Sequence, residues 1–220
     1  MKELLFISLV FYPDGTVATE RLRKLIKYKP RDLKCLVLCL PREDLEDLGR
    51  QTFDESRYEE IDNKYSEITL ETRDHKRSIW RRIVNNLDFL ITTKFLFLDK
   101  YYIKVLGVNQ IVSILSVNCH RLDKIVATGP VFTNHLLAYY LSRKMNVPYT
   151  LDFRDPWSIN EDYYSKFAPI KRYINRAAER MCLAYCESAI FTTEIMKARY
   201  IEIYPSLRDK FHVVTNGYDT

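Results

Sequence analysis

Glycine is scarce, with five in 220 residues. The loop after the first apolar run holds a single one, Gly15. A nicotinamide-binding Rossmann loop needs G-x-G-x-x-G there, for the tight turn and for backbone approach to a pyrophosphate, so that class is excluded. The five cysteines form no C-x-x-C pair. Cys35 and Cys39 fall in a strand-like run, and Cys182 and Cys186 stand one helical turn apart. They read as buried free thiols rather than metal ligands, which points to a reducing compartment. The chain opens Met-Lys-Glu directly into a strand pattern, with no signal-peptide core. The apolar run within 76–105 is interrupted by Lys94 and Asp99, so it is no membrane span. Internal repeats and low-complexity tracts are also missing. Basic residues are spread over several helical patterns without an accompanying nucleic-acid motif, so nucleic acid is not expected as a partner.

What is present is the composition of a globular protein, 47% hydrophobic and 29% charged, with 16 Tyr and 11 Phe. The formal charge of +5 is unevenly placed. Residues 42–74 carry twelve acids against five bases, a net of −7, so the remainder carries +12. Few aliphatics occur in 42–65, which reads as an irregular acidic excursion on the surface. The basic remainder invites an anionic partner. Residues 76–104 hold seven bases against Asp88 and Asp99, together with Trp80, Phe89, Phe95, Phe97, Tyr101 and Tyr102. A basic, aromatic, amphipathic helix of this kind suits an anionic membrane surface, and a core helix with a solvated face is the alternative.

Strand and helix patterns alternate. Residues 4–10 (LLFISLV), 35–40, 68–70, 124–127, 149–153, 189–192 and 211–215 read as strands, several of them apolar throughout, as in strands covered on both faces. Helical patterns lie between them, including a long region over 78–105 and a helix over 170–186 with Ile170, Tyr173, Ile174, Ala177, Ala178, Met181, Cys182, Tyr185 and Cys186 at helical spacing. This alternation predicts an α/β fold, a doubly wound, mainly parallel sheet flanked by helices, in a single domain over 1–220.

Gly15, Gly129 and Gly217 each follow the C-terminal end of an expected strand. That edge of an open α/β sheet is where ligands bind. Gly15 precedes a helix N-terminus, whose N–H groups suit a phosphate. At the same edge lies Asp152-Phe153-Arg154-Asp155-Pro156-Trp157. Two carboxylates and a guanidinium so close together are costly to bury unless paired. Trp157 offers a flat apolar face of the sort that sugars and lipids pack against. The alternative is an Arg–Asp pair that stiffens the strand end. His135, near the start of the helix after Thr128-Gly129-Pro130, is a further candidate, or else a helix-face histidine bonded to its neighbours.

Three blocks resemble a family: LLFISLVFYPDGTVATERL at the start, DKIVATGPVFTNHLLAYYLSRKMNVPYTLDFRDPW in the middle, and ERMCLAYCESAIFTTE with FHVVTNGYD at the end. They are similar to the N-terminal half of bacterial retaining glycosyltransferases of the GT-B fold, carbohydrate-active family four. The resemblance covers most of the chain apart from the acidic excursion and the basic helical region. It implies two Rossmann-like domains across a cleft, with the acceptor held by the first and the nucleotide-sugar by the second. The chain would then be the acceptor-binding domain, its donor-binding partner domain would follow the Asn-Gly-x-Asp stretch, and this half alone would be inactive. A lipid-linked or glycan acceptor, a role in cell-surface polysaccharide or glycolipid assembly, and a cytoplasmic site, peripheral on the inner face of the membrane, are the corresponding expectations. No metal or other cofactor is implied beyond the nucleotide-sugar co-substrate, because protein cations and helix N-termini stabilise the leaving diphosphate in such enzymes. Arg154 and Asp155 would stand beside the reacting centre or acceptor. Gly15 and Thr16 would face the donor diphosphate, with Gly129, His135 and Trp157 lining the substrate side. Many relatives have His at the position of Arg154 and a second glycine at that of Thr16. A binding module of the same fold without catalysis is the alternative.

Overall fold

The structure, a computed structural model, describes residues 2–12, 14, 17–47, 54–69, 108–119, 121–160 and 169–217. Its elements run β1 (Lys2–Ile7), α1 (Val17–Lys27), β2 (Leu33–Cys39), α2 (Arg42–Asp47), a 3₁₀ helix (Glu55–Lys64), β3 (Tyr65–Thr69), α3 (Val108–Asn118), β4 (Lys124–Thr128), α4 (Thr133–Met145), β5 (Tyr149–Phe153), α5 (Pro169–Tyr185), β6 (Ser188–Phe191), α6 (Glu194–Ile203), a second 3₁₀ helix (Pro205–Lys210) and β7 (Phe211–Val213). All seven strands are parallel, in the order β3-β2-β1-β4-β5-β6-β7. The α/β doubly wound expectation is met.

Central strands explain themselves. Both faces of the sheet are covered, so β5 is buried at every position and β2 from Cys35 onward. The larger core collects Leu5, Ile7, Leu36, Leu38, Ile125, Ala127, Leu151, Phe153 and Phe191 under α3, α4 and α5. A smaller one gathers Phe6, Phe11, Leu22, Ile26, Val37, Tyr58 and Ile61 under α1 and the first 3₁₀ helix.

Three features differ from the sequence reading. The described part of the acidic stretch is built into the fold: Leu45, Tyr58 and Ile61 are buried, and the Tyr58 hydroxyl donates to the carbonyls of Phe11 at 3.1 Å and Asp14 at 2.8 Å. Few apolar residues suffice there because each is large and packs against the sheet's β1–β2 side. Helix α3 was not expected. Its β-branched residues (Val108, Ile111, Val112, Ile114, Val117) lower helix propensity, yet Ile111 and Leu115 bury against the larger core and tertiary packing decides. Helix α5 does turn Cys182 and Cys186 to the core, but its N-terminal half buries Lys171, Asn175 and Glu179 and leaves Ile170 and Tyr173 exposed. The basic helical region over 78–105 lies outside the described residues.

Candidate functional site at the carboxyl edge of the sheet

After β3 the chain returns to the other side of β1, so strand order reverses between β1 and β4. The loops leaving those two strands therefore diverge to opposite faces and open a crevice at their C-terminal ends. Asn134 laces its walls together. Its Oδ1 accepts the Leu9 N–H at 3.2 Å and its amide donates to the Thr128 carbonyl at 2.7 Å. The Ser8 hydroxyl donates to the Val10 carbonyl at 2.9 Å, which fixes the exit from β1. The resulting shallow pocket is lined by Ser8, Val10, Thr128, Gly129, Pro130, Val131, Asn134 and Arg154.

Arg154 is thus brought to the pocket, partly buried at its rim. Desolvation lowers its guanidinium's pKa and nearby Arg21 adds to this, while Asp152 and Asp155 oppose it. Asp155 is exposed beside it. The guanidinium that binds Asp152 belongs to Arg21 on α1. Its Nε lies 3.2 and 3.0 Å from the two carboxylate oxygens, and both side chains are almost fully buried. Thr128 donates to the same carboxylate at 3.1 Å. The other arms of Arg21 donate to the carbonyls of Thr215 at 3.1 Å and Val214 at 2.9 Å and to Asn216 Oδ1 at 3.0 Å. Lys24 donates to the Gly217 carbonyl at 3.1 Å. One arginine therefore ties α1, the end of β5 and the segment leaving β7 together at the crevice edge.

The remaining sequence candidates separate. Trp157 is fully buried. Its ring stacks on Phe132 with centroids 5.0 Å apart and planes 6° from parallel, and its Nε1–H points to Asn175 Oδ1 at 3.4 Å. The flat face expected for a sugar or lipid is occupied by Phe132. His135 is also fully buried, among Phe132, Phe153 and Trp157. Neither ring nitrogen closes a hydrogen bond of full geometry. Desolvation pushes its pKa down to about 3, and the carbonyls of Asp152 and Ala127 only partly offset this. It supports the pocket floor from below and has no surface for a ligand. Gly129 lies over it. A Cβ there would meet His135 and the Asp152 carbonyl at 3.5–3.6 Å, ordinary contact, so glycine is not demanded by space. A Cβ on Gly217 would meet nothing within 4 Å, so glycine is not demanded by space there either. Gly15 and Thr16 lie outside the described residues. Among the described residues no group of acids, histidines and cysteines could hold a metal ion, and no helix is long and apolar enough to cross a membrane.

Sequence reasoning missed Arg21. A signal was present: DFRD sets two carboxylates against one guanidinium, so one acid had to find its cation elsewhere. It also missed Glu179, whose partners come from Ser158, Tyr200 and Tyr204.

No protein-family model matches the sequence, and neither does any curated protein. Solved structures do match. The Anabaena protein HepE in complex with UDP-glucose aligns with a TM-score of 0.56 at 15% identity, over 100% of this chain and 45% of its own. A UDP-GlcNAc 2-epimerase from Neisseria meningitidis bound to UDP-GlcNAc aligns with a TM-score of 0.55 at 14% identity, over 98% and 47%. The N-terminal domain of Candida albicans trehalose-6-phosphate phosphatase gives 0.52 at 12%, over 100% and 49%. The chain spans about half the length of the solved proteins it matches, and it shares with them the Rossmann-like α/β fold of one half of the GT-B architecture.

Proposed function

We propose that this chain is the acceptor-side half of a nucleotide-sugar-dependent retaining glycosyltransferase acting in cell-surface polysaccharide or glycolipid assembly. The observation that carries the reading is the pocket at the β1/β4 reversal with Arg154 on its rim. The fold is shared with proteins solved with UDP-sugars, which supports a nucleotide-sugar as co-substrate.

In this reading the donor sits mainly on a second Rossmann-like half across the crevice. Departure of the nucleoside diphosphate builds negative charge, and a partly desolvated guanidinium stabilises it more than water would. Arg154 has that character, with Asp155 on the acceptor side of it and Gly15 and Thr16 toward the diphosphate. Arg21 and Lys24 hold the segment leaving β7, so the exit of the chain is fixed relative to the pocket. Fixed geometry matters because positioning supplies much of the rate gain in group transfer. The basic stretch 76–104 would bring a lipid-linked acceptor's membrane to this edge; flotation with anionic liposomes, reversed by salt, tests that part. The site itself is tested by Arg154→Ala in the longer, two-half protein, assayed with UDP-, GDP- and TDP-sugars and extracted lipid acceptors. Loss of turnover with nucleotide-sugar binding retained is the expected result. Unchanged turnover would remove Arg154 from the reaction.

A further inference from the structure

We infer that Glu179, buried on α5 and away from the pocket, is the positioning residue for the rim segment 154–158, the segment that carries Arg154. The inference rests on the transferase reading only for the consequence in turnover. The geometry stands apart from it.

The rim leaves the sheet at Phe153 and is caught again at Trp157 and Ser158. Glu179 performs the second capture. Its Oε1 accepts the Ser158 N–H at 3.1 Å and the Tyr200 hydroxyl at 2.5 Å. Its Oε2 accepts the Ser158 hydroxyl in a short contact and the Tyr204 hydroxyl at 3.0 Å. Tyr200 in turn accepts the Trp157 N–H at 2.9 Å. Four donors thus converge on one fully buried carboxylate, from the rim and from α6 and its C-terminal cap. Burial raises its pKa, and the bonds from Ser158, Tyr200 and Tyr204 oppose that rise. Two residues N-terminal along the same buried stripe extend the hold: Asn175 faces the Trp157 indole N–H, and its own amide donates to the Lys171 carbonyl at 2.6 Å. A buried ionisable group is expensive, and an apolar residue would fill the space. What a carboxylate adds is direction. It fixes Ser158 directly and Trp157 through the Tyr200 hydroxyl that it orients. Between those anchors and Phe153 lie three residues, Arg154, Asp155 and Pro156, of which Arg154 lines the pocket. Thr192 adds a bond to the Arg154 carbonyl at 3.3 Å.

The test compares Glu179→Ala with the core truncation Leu115→Ala, which lies on α3 and takes no part in this hydrogen-bond network. Amide hydrogen exchange is followed at Trp157 and Ser158 in residues 1–220. Tryptophan emission is followed in a Trp80→Phe background, where Trp157 alone reports. The Ser158 amide loses its bond to the carboxylate and should exchange about tenfold or more faster than in the Leu115→Ala control, and the Trp157 amide, held by a Tyr200 hydroxyl that has itself lost its acceptor, should follow more weakly. The emission should shift to the red as Trp157 loosens. If Glu179→Ala does not fold, Ser158→Ala and Tyr204→Phe each remove one donor and should show the same local pattern more weakly. Equal rim exchange in the Glu179 and Leu115 variants, or in both donor variants and the wild type, would overturn the inference. In the longer protein Glu179→Ala should lower kcat with the nucleotide-sugar KM little changed. A loosened rim in a protein that shows no transfer at all would leave the positioning role standing and defeat the transferase reading instead.

Discussion

Consider protonation of His135. The ring is fully buried among three aromatic side chains, and its pKa is pushed down to about 3 by desolvation. In the unfolded chain an imidazole titrates near its ordinary value of about 6.5. Between those two values the unfolded chain binds a proton that the folded chain refuses. Stability therefore rises with pH across that window and is lost as pH falls through about 6.5. At about pH 5 the unfolded imidazole is almost fully charged and the folded one still neutral, which costs about 2 kcal/mol relative to about pH 7.5. Burial raises the pKa of Glu179, so that group acts in the opposite sense at acid pH. The histidine's share is isolated by subtraction. Urea unfolding of wild type and His135→Leu at about pH 7.5 and about pH 5 should show the wild type losing about 2 kcal/mol more than the variant on acidification. Leucine keeps an apolar body of similar reach in the aromatic cage, so the comparison concerns charge. Parallel pH profiles for the two proteins would mean that His135 is hydrated or hydrogen-bonded in the folded state and takes up its proton as readily as in the unfolded chain.

Arg21→Ala leaves the Asp152 carboxylate buried without its cation and should cost about 3 kcal/mol in urea unfolding. The same change should speed amide exchange in the segment after β7, which loses the donors to Val214 and Thr215. Tyr58→Phe strips one hydroxyl from two buried backbone carbonyls and should cost about 1–2 kcal/mol, read as a lower denaturation midpoint at unchanged slope. Asp155→Asn, at an exposed position, should melt within about 0.5 kcal/mol of wild type while turnover in the longer protein falls. A large loss of stability with normal turnover would make Asp155 structural.

The sheet was legible because parallel strands covered on both faces read as apolar runs, as in 4–10 and 35–40; residues 149–153, which include Thr150 and Asp152, were bounded correctly with Pro148 marking their start. The carboxyl edge was legible from punctuation, since Thr128-Gly129-Pro130 and Arg154-Asp155-Pro156 both break strand patterns where strands end. Burial in loops was not. Trp157 and His135 carry polar atoms and sit outside the strands, so residue type suggested contact with a ligand, whereas tertiary packing stacked Trp157 on Phe132 and set His135 at a tilt among three aromatic rings. The inverted face of α5 failed for a related reason. Glu179 is tolerable inside because Ser158 reaches it from the rim and Tyr200 and Tyr204 from α6 and its cap, and pairings between distant elements leave no periodicity in the sequence.

On the proposed function, this fold supplies the acceptor side and a second half supplies the donor. The most direct test is transfer from a panel of nucleotide-sugars to extracted lipid acceptors, measured for residues 1–220 alone and for the longer, two-half protein. Residues 1–220 should show no transfer, and the proposed two-half protein should transfer with retained anomeric configuration. Robust transfer by residues 1–220 alone would contradict that division.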